Sequence, residues 1–162
     1  MENYQQSLSI KASPAAIYAA LTTIDGLRGW WTRDCEGGTA IGDTLKFRFS
    51  LCYKDMRIVK LEQDSEVHWL CARAHIVAES VSLADEWVNT QVMFRMSDAG
   101  SGNTRLDMEH IGLLPSLQCH ALCTNGWQHF LTSLQEFLET GTGTPFVPPE
   151  QHQTPSTERK AA

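Results

Sequence analysis

Basic residues are in short supply. Thirteen Lys and Arg stand against 19 Asp and Glu, for a formal charge of -6 and a pI near 5.4. A general phosphate-backbone binder needs a cationic surplus to displace counterions, so nucleic acid is not an expected partner. Long apolar runs are missing too: no stretch approaches the ~18–20 apolar residues of a spanning helix, and no membrane span is expected. The opening residues Met1-Glu2-Asn3-Tyr4-Gln5-Gln6 lack the charged-then-apolar order of a secretory leader. No paired cysteine framework is present: the five cysteines are an odd and scattered set of Cys35, Cys52, Cys71, Cys119 and Cys123. Without a leader these read as reduced thiols in a cytoplasmic protein, mostly acting as small core hydrophobes. No Gly-rich phosphate loop follows a strand, Asp34-Cys35-Glu36-Gly37-Gly38 is no nucleophile elbow, and there is no internal repeat.

What is present is enough for one core. The chain has 162 residues, 42% hydrophobic and 20% charged, which excludes wholesale disorder. A chain of this size buries roughly 68–70% of its unfolded surface and needs neither disulfide nor metal to fold. Residues 3–11 alternate weakly through Tyr4, Leu8 and Ile10, as a first strand would. Ser13-Pro14 is a strong helix start, a cap oxygen followed by a residue with no N–H to orphan. Asp25-Gly26 is expected to break that helix, with a second short helix through Leu27 to Trp31 ending before the Gly37-Gly38 turn.

The period then changes. Leu45, Phe47, Phe49 and Leu51 alternate with Lys46, Arg48 and Ser50, the pattern of a half-buried antiparallel strand. Strands are expected over Met56–Leu61, Val67–Arg73, Trp87–Met96 and Thr104–Ile111, with Ser97–Asn103 as the loop between the last two. Residues 75–85 read either as a strand or as a connection. Pro115-Ser116 is expected to open a long helix to about Thr140, with Ser116 at the cap. That helix carries an apolar stripe of Cys123, Trp127, Phe130, Leu131, Leu134 and Leu138, and Gly141 sits at its end. Residues 147–162, with Pro148, Pro149 and Pro155, read as a disordered tail on a domain of residues 1–146. A curved sheet with one apolar face needs a large cover, and only the last helix is long enough to supply it. The expected class is therefore α+β: a helix-grip arrangement of curved antiparallel sheet, two short helices and a long C-terminal helix over a cavity.

Several segments carry a family likeness. Ser13-Pro14-Ala15-Ala16-Ile17-Tyr18-Ala19-Ala20-Leu21 and Trp30-Trp31-Thr32 resemble the opening of the START-like (SRPBCC) superfamily. Glu86 to Phe94, Thr104-Arg105-Leu106, His110-Ile111-Gly112-Leu113, Gly126-Trp127 and Gly141 to Phe146 resemble its branch named after activators of the heat-shock chaperone ATPase (AHSA-type). The likeness spans residues 5–146. It implies a fold with a mainly apolar cavity used for lipids, aromatic polyketides or other hydrophobic small molecules. One such fold hosts transport proteins, cyclases and chaperone partners alike. Two-domain activators carry a second, chaperone-docking domain for which 162 residues leave no room, so the single-domain form is expected.

If the facing assignments hold, Trp30, Trp31, Phe49, Met56, Trp69, Cys71, Thr90, Phe94, Met108, His110 and Trp127 point into the space between sheet and helix. For each one singly, the plain alternative is core packing. Together, the tryptophans with inward Met and Cys form a wide, adaptable lining, in which Thr90 and His110 would orient a ligand. His110 shares a face with Leu106 and Met108. It could bond a ligand carbonyl or serve as a base, or it could be a buried neutral ring. Asp107 and Glu109 alternate to the opposite face, so no catalytic dyad is expected and no catalytic residue is assigned. Cys119 and Cys123 lie one helical turn apart, enough for two ligands to a soft metal but without a second pair, so no metal is assigned. Arg28 and Arg33 flank the Trp pair, either guiding an anionic head group or simply solvated.

The expected function is non-catalytic binding of a small hydrophobic or aromatic molecule, lipid- or polyketide-like, at Trp31, Phe49, Met56, Trp69, Cys71, Thr90, Phe94, Met108, His110 and Trp127. No cofactor is expected. The alternatives are a stress-linked partner of the heat-shock ATPase, a homodimer using an exposed sheet edge, and a polyketide cyclase- or dehydratase-like enzyme with His110 as base.

Overall fold

In the computed structural model, which describes residues 3–76, 78 and 85–148, strand β1 (Tyr4–Ile10) leads directly into the helix start read from Ser13-Pro14. The Ser13 hydroxyl accepts from the Ala16 N–H at 3.1 Å, and Pro14 opens helix α1 (Pro14–Thr22). The break that follows is made by Thr23, not by Asp25-Gly26. Thr23 adopts an extended backbone and caps helix α2 (Ile24–Trp30), its hydroxyl accepting from the Gly26 N–H at 3.0 Å. Gly26 instead lets the two helices close up, since a Cβ there would stand 2.6 Å from Ala20 Cα.

Seven antiparallel strands form one curved sheet among the described residues: β1, β2 (Cys35–Gly37), β3 (Thr44–Phe49), β4 (Cys52–Glu62), β5 (Glu66–His75), β6 (Gln91–Gly100) and β7 (Asn103–Ile111). Their order across the sheet is β1-β7-β6-β5-β4-β3-β2. β2 is a three-residue edge strand that alternation over so few residues does not reveal. β3 stops at Phe49, because Ser50 turns with φ 63° and leaves Leu51 74% exposed rather than in the strand. Trp87–Thr90 form a turn before β6, and the β6–β7 connection shrinks to Ser101-Gly102. Both of those residues have positive φ, as the tight right-twisted hairpin demands. No helix of the described residues is long and apolar enough to cross a membrane.

Helix α3 (His120–Thr140) covers the concave face. Its start departs from the Pro115-Ser116 expectation: those residues lie in turns, and Cys119 takes the cap position with no side-chain bond of its own. The capping is tertiary. The Glu86 carboxylate reaches across and accepts from the Gln118 and Cys119 N–H groups, both at 3.0 Å, next to the positive end of the helix. Gly141 ends the helix in the left-handed region, φ 91°, its N–H bonded to Phe137 O. The chain then returns to the exit of α2, where Phe146 N–H donates to Trp31 O and Arg33 N–H to Phe146 O. Gly143 permits that approach, because a Cβ would meet Gly29 O at 2.6 Å. Of the tail expected over residues 147–162, everything from residue 149 on lies outside the described residues, as does most of the ambiguous stretch between Ile76 and Asp85.

The inward sets are those of the alternating pattern: Leu45 and Phe47, Met56 and Ile58, Val67, Trp69 and Cys71, Val92, Phe94 and Met96, Leu106, Met108 and His110 are all buried. α3 lays Cys123, Trp127, Leu131 and Leu134 onto them. The side chains are large at the α2 exit and the first half of α3, and it is there that packing leaves a gap.

Candidate functional site

Aromatic rings build the floor. Trp31, at the exit of α2, stacks on Trp30 (5.5 Å between centroids), Trp69 (5.7 Å) and Trp127 (5.4 Å). Trp69 meets Phe94 edge-on at 5.2 Å, and Phe49 packs against Phe130 and Phe146, each at 5.8 Å. Rings this large bury much apolar area. Beside them lies a cavity of ≈ 180 Å³, walled by Trp31, Phe49, Trp87, Trp127 and Phe130, with Ile76, Leu122 and Gly126 at its sides. Its polar lining comes from Lys54, Cys52 and Cys123. Leu122, 46% exposed, marks the open side.

Of the residues singled out from sequence, Trp31, Phe49 and Trp127 border this cavity. Met56, Trp69, Cys71, Phe94 and Met108 are buried in the packed layer beneath it, and Thr90 and His110 form a polar cluster within that layer. The cluster is closed. An indole N–H can only donate, so the Trp127 Nε1–H bond to His110 Nδ1 at 3.0 Å places the ring proton on Nε2. Nε2–H then donates to Thr90 Oγ1 at 2.8 Å, and the Thr90 hydroxyl donates to Trp87 O at 2.6 Å. Burial, reinforced by the charge of Lys54, pushes His110 down to about 3, so the ring is neutral. Its one lone pair is taken by Trp127, which leaves it no capacity as a base toward a molecule in the cavity.

Lys54 escaped the sequence reading, although a signal was available. It shares strand parity with Met56 and Ile58 and therefore faces inward. A bulge at Ala72 of β5 keeps that register, pairing Lys54 with buried Ala74. The half-buried ammonium lies 4.4 Å from the Trp87 ring centroid and 4.6 Å from that of Phe49. Among the described residues no carboxylate pairs with it. Burial lowers its pKa, opposed by nearby thiols, Cys123 foremost. Arg28, by contrast, is committed to structure, donating to Cys35 O at 2.8 and 3.0 Å.

The two helix cysteines are not equivalent. Cys119 is sealed, and its hydrogen bond to Cys123 together with burial raises its pKa, so it remains a thiol. Cys123 borders the cavity and accepts the Trp87 Nε1–H at 3.1 Å. The Cys119 hydrogen bond, then the Lys54 charge and the Trp87 donor, outweigh burial and pull Cys123 down to about 7. Cys35 and Cys71 are pushed up to about 12 by burial. Among the described residues no group of three or more His, Cys, Asp or Glu side chains could hold a metal ion.

Comparison with known proteins bears on the family and the fold. The family model described as Activator of Hsp90 ATPase homolog 1-like protein matches residues 11–139. The chain is similar to the Aha1 dimer from Colwellia psychrerythraea, solved in solution: 36% identity, 88% of this chain and 100% of that one, TM-score 0.75. It shares its fold with an HSP90 activator from Plasmodium falciparum, at 14% identity over 85% of this chain and 96% of that one, TM-score 0.62. It also shares it with DynU16, a putative protein of the dynemicin biosynthetic locus, at 17% identity over 88% of this chain and 49% of that one, TM-score 0.65. No match is found among curated proteins.

Proposed function

The chain belongs to the family of Activator of Hsp90 ATPase homolog 1-like proteins, and we propose that within it this chain is a binding protein for a small aromatic molecule held between the sheet and α3. The observation that carries this reading is the aromatic-walled cavity beside Trp31, Trp87 and Trp127, open at one side and lined by few polar groups. Size sharpens the ligand class. An engineered apolar cavity of about 150 Å³ admits benzene, and drug-sized pockets begin at about 300 Å³. At ≈ 180 Å³ the site suits one substituted ring, and a lipid or polyketide chain would require it to widen. The walls themselves report occupancy. Titration with indole or 1-phenylethanol, followed by protein tryptophan emission excited at the red edge and by native mass spectrometry, is expected to give saturable one-to-one binding. Absence of both signals at millimolar probe removes the proposal.

A second reading rests on the family and on two of its similar structures, one a dimer and one an HSP90 activator. In that reading the chain is a partner of the heat-shock ATPase, or pairs with a second copy through a sheet edge. β1, bonded on one side only to β7, offers the longer of the two edges. An increase in chaperone ATP turnover on adding the chain supports this reading, and unchanged turnover counts against it. In the cyclase-like alternative, the structure counts against His110 as the base, because both ring nitrogens are bonded within the closed cluster.

A further inference from the structure

We propose that Cys123 is a nucleophile and that the cavity takes up ring-bearing conjugated electrophiles, α,β-unsaturated carbonyl compounds, which Cys123 binds covalently by addition to the β-carbon. This rests on the cavity being a site for small aromatic molecules and extends it from reversible binding to capture.

Position comes first. Cys123 sits in the first turn of α3 and lines the cavity, whereas Cys119, one turn earlier, is sealed and faces it as a thiol donor. The Trp87 indole N–H, 3.1 Å from the sulfur, is a donor that cannot reverse its role. Lys54 enters the same cavity from β4, and its charge is answered by thiols rather than by a carboxylate among the described residues. The groups bearing on Cys123 are thus Lys54 from β4, Trp87 and Glu86 before β6, and Cys119 at the cap of α3, while Cys52 and Cys71 bear on Lys54. Of these, Lys54, Trp87 and Cys119 favour the thiolate, and Glu86 opposes it. A cationic side chain placed in an aromatic cavity beside a sulfur is an arrangement that packing alone does not call for.

The electrophile class follows from what surrounds the sulfur. A thiolate is a soft nucleophile, the flanking walls are flat aromatic rings, and neither of the ring nitrogens of His110 is available as a base for harder carbonyl chemistry. In the addition, a sulfur lone pair forms the C–S bond to the β-carbon. The C=C pair shifts toward the carbonyl oxygen, whose developing negative charge the Lys54 ammonium stabilises. The α-carbon then takes from solvent the equivalent of the proton that Cys123 released. Nothing is oxidised, nothing leaves, and no co-reactant is needed.

The test uses the full chain and two maleimides, N-phenylmaleimide and N-(2-hydroxyethyl)maleimide, with N-acetylcysteine as the rate reference. Intact mass and peptide mapping are expected to show one adduct, at Cys123, formed with a pH midpoint near 7 instead of about 8.5 for an ordinary thiol. After normalisation to the reference, the phenyl compound is expected to react about tenfold faster than the hydroxyethyl one. Lys54→Met should move the midpoint upward without moving the adduct, and Cys123→Ser should abolish it. Lys54→Gln serves if the Met variant fails to fold, judged by near-UV circular dichroism. An adduct at Cys52 instead, or a midpoint at the ordinary thiol value, overturns the nucleophile. If the phenyl ring quenches tryptophan emission reversibly and saturably while leaving no adduct, the nucleophile fails and the binding site stands. Equal normalised rates with a midpoint near 7 overturn the ring-bearing class and the binding site beneath it.

Discussion

Two polar clusters lie under the same helix and share two tryptophans, yet they are built to opposite rules. Around His110 every polar atom is answered: Trp127 N–H to Nδ1, Nε2–H to Thr90, Thr90 to Trp87 O. Around Cys123 a cation stands among rings and thiols, at the edge of an unfilled space. Trp127 supplies a donor to the first cluster and a wall to the second, and Trp87 supplies an acceptor to the first and a donor to the second. The first cluster is therefore a fixed scaffold for the second. A buried polar network that is fully satisfied rigidifies its surroundings, whereas one left open retains free energy for a ligand to gain.

Removing a shared residue should break the comparison and produce the largest effect. Trp127→Ala strips a donor from His110 and a wall from the cavity, and should cost about 3–5 kcal/mol in a denaturant melt. Phe130→Ala borders the cavity only, is half-buried, and should cost markedly less while still weakening probe binding. Equal losses for the two would show that the clusters are not built differently.

The next effect isolates the closed cluster. His110 titrates near 3 in the folded protein, against about 6.5 when unfolded. Between those values the unfolded chain binds the extra proton. The contribution of the neutral ring is thus complete above about pH 6.5 and is lost as pH falls toward 3, by at most about 1.4 kcal/mol per pH unit. His110→Gln should flatten the stability profile by that slope between pH 4 and 6. Parallel profiles for variant and parent would place a charged ring in the fold.

The contrast also explains what the sequence could and could not reveal. Alternation in Leu45-Phe47, Val92-Phe94-Met96 and Leu106-Met108-His110 predicts burial correctly, because a period of two has only two outcomes. Which buried residue borders empty space depends on where α3 comes to rest, and that is set across the fold. Trp31, Phe49 and Trp127 reach the cavity while Met56, Trp69 and Met108 do not, though all face inward. The start of α3 misled for the same reason. Pro115-Ser116 is a strong local cap, but Glu86, some thirty residues earlier, does the capping. Lys54 shares parity with Met56 and Ile58, but the strand expected from the sequence began at Met56, two residues too late to include it.

The helix cap adjoins the open cluster through Cys119 and gives a smaller effect. Glu86→Gln keeps one acceptor and loses the charge at the start of α3, and should cost about 0.5–1 kcal/mol. It also removes a negative neighbour that opposes the Cys123 thiolate, so alkylation of Cys123 should reach its midpoint at lower pH in the variant. A stability loss with the midpoint unmoved would separate the cap from the thiol.

The last effect sharpens the comparison most, because its sign is reversed. In the closed cluster every substitution should destabilise; in the open one, Lys54→Met should stabilise, by about 1 kcal/mol at neutral pH. An apolar side chain of similar length fills the same volume without a charge to desolvate. The pH dependence fixes the cause. Because burial lowers the Lys54 pKa, the unfolded chain holds a proton that the folded one gives up between that lowered value and about 10.4. Stability of the parent chain therefore rises with pH across this window, and the advantage of the Met variant should shrink toward pH 10. An advantage independent of pH would assign the gain to packing. A loss at pH 7 would mean that the ammonium contributes stability through Trp87 and Phe49, and that the second cluster is as closed as the first.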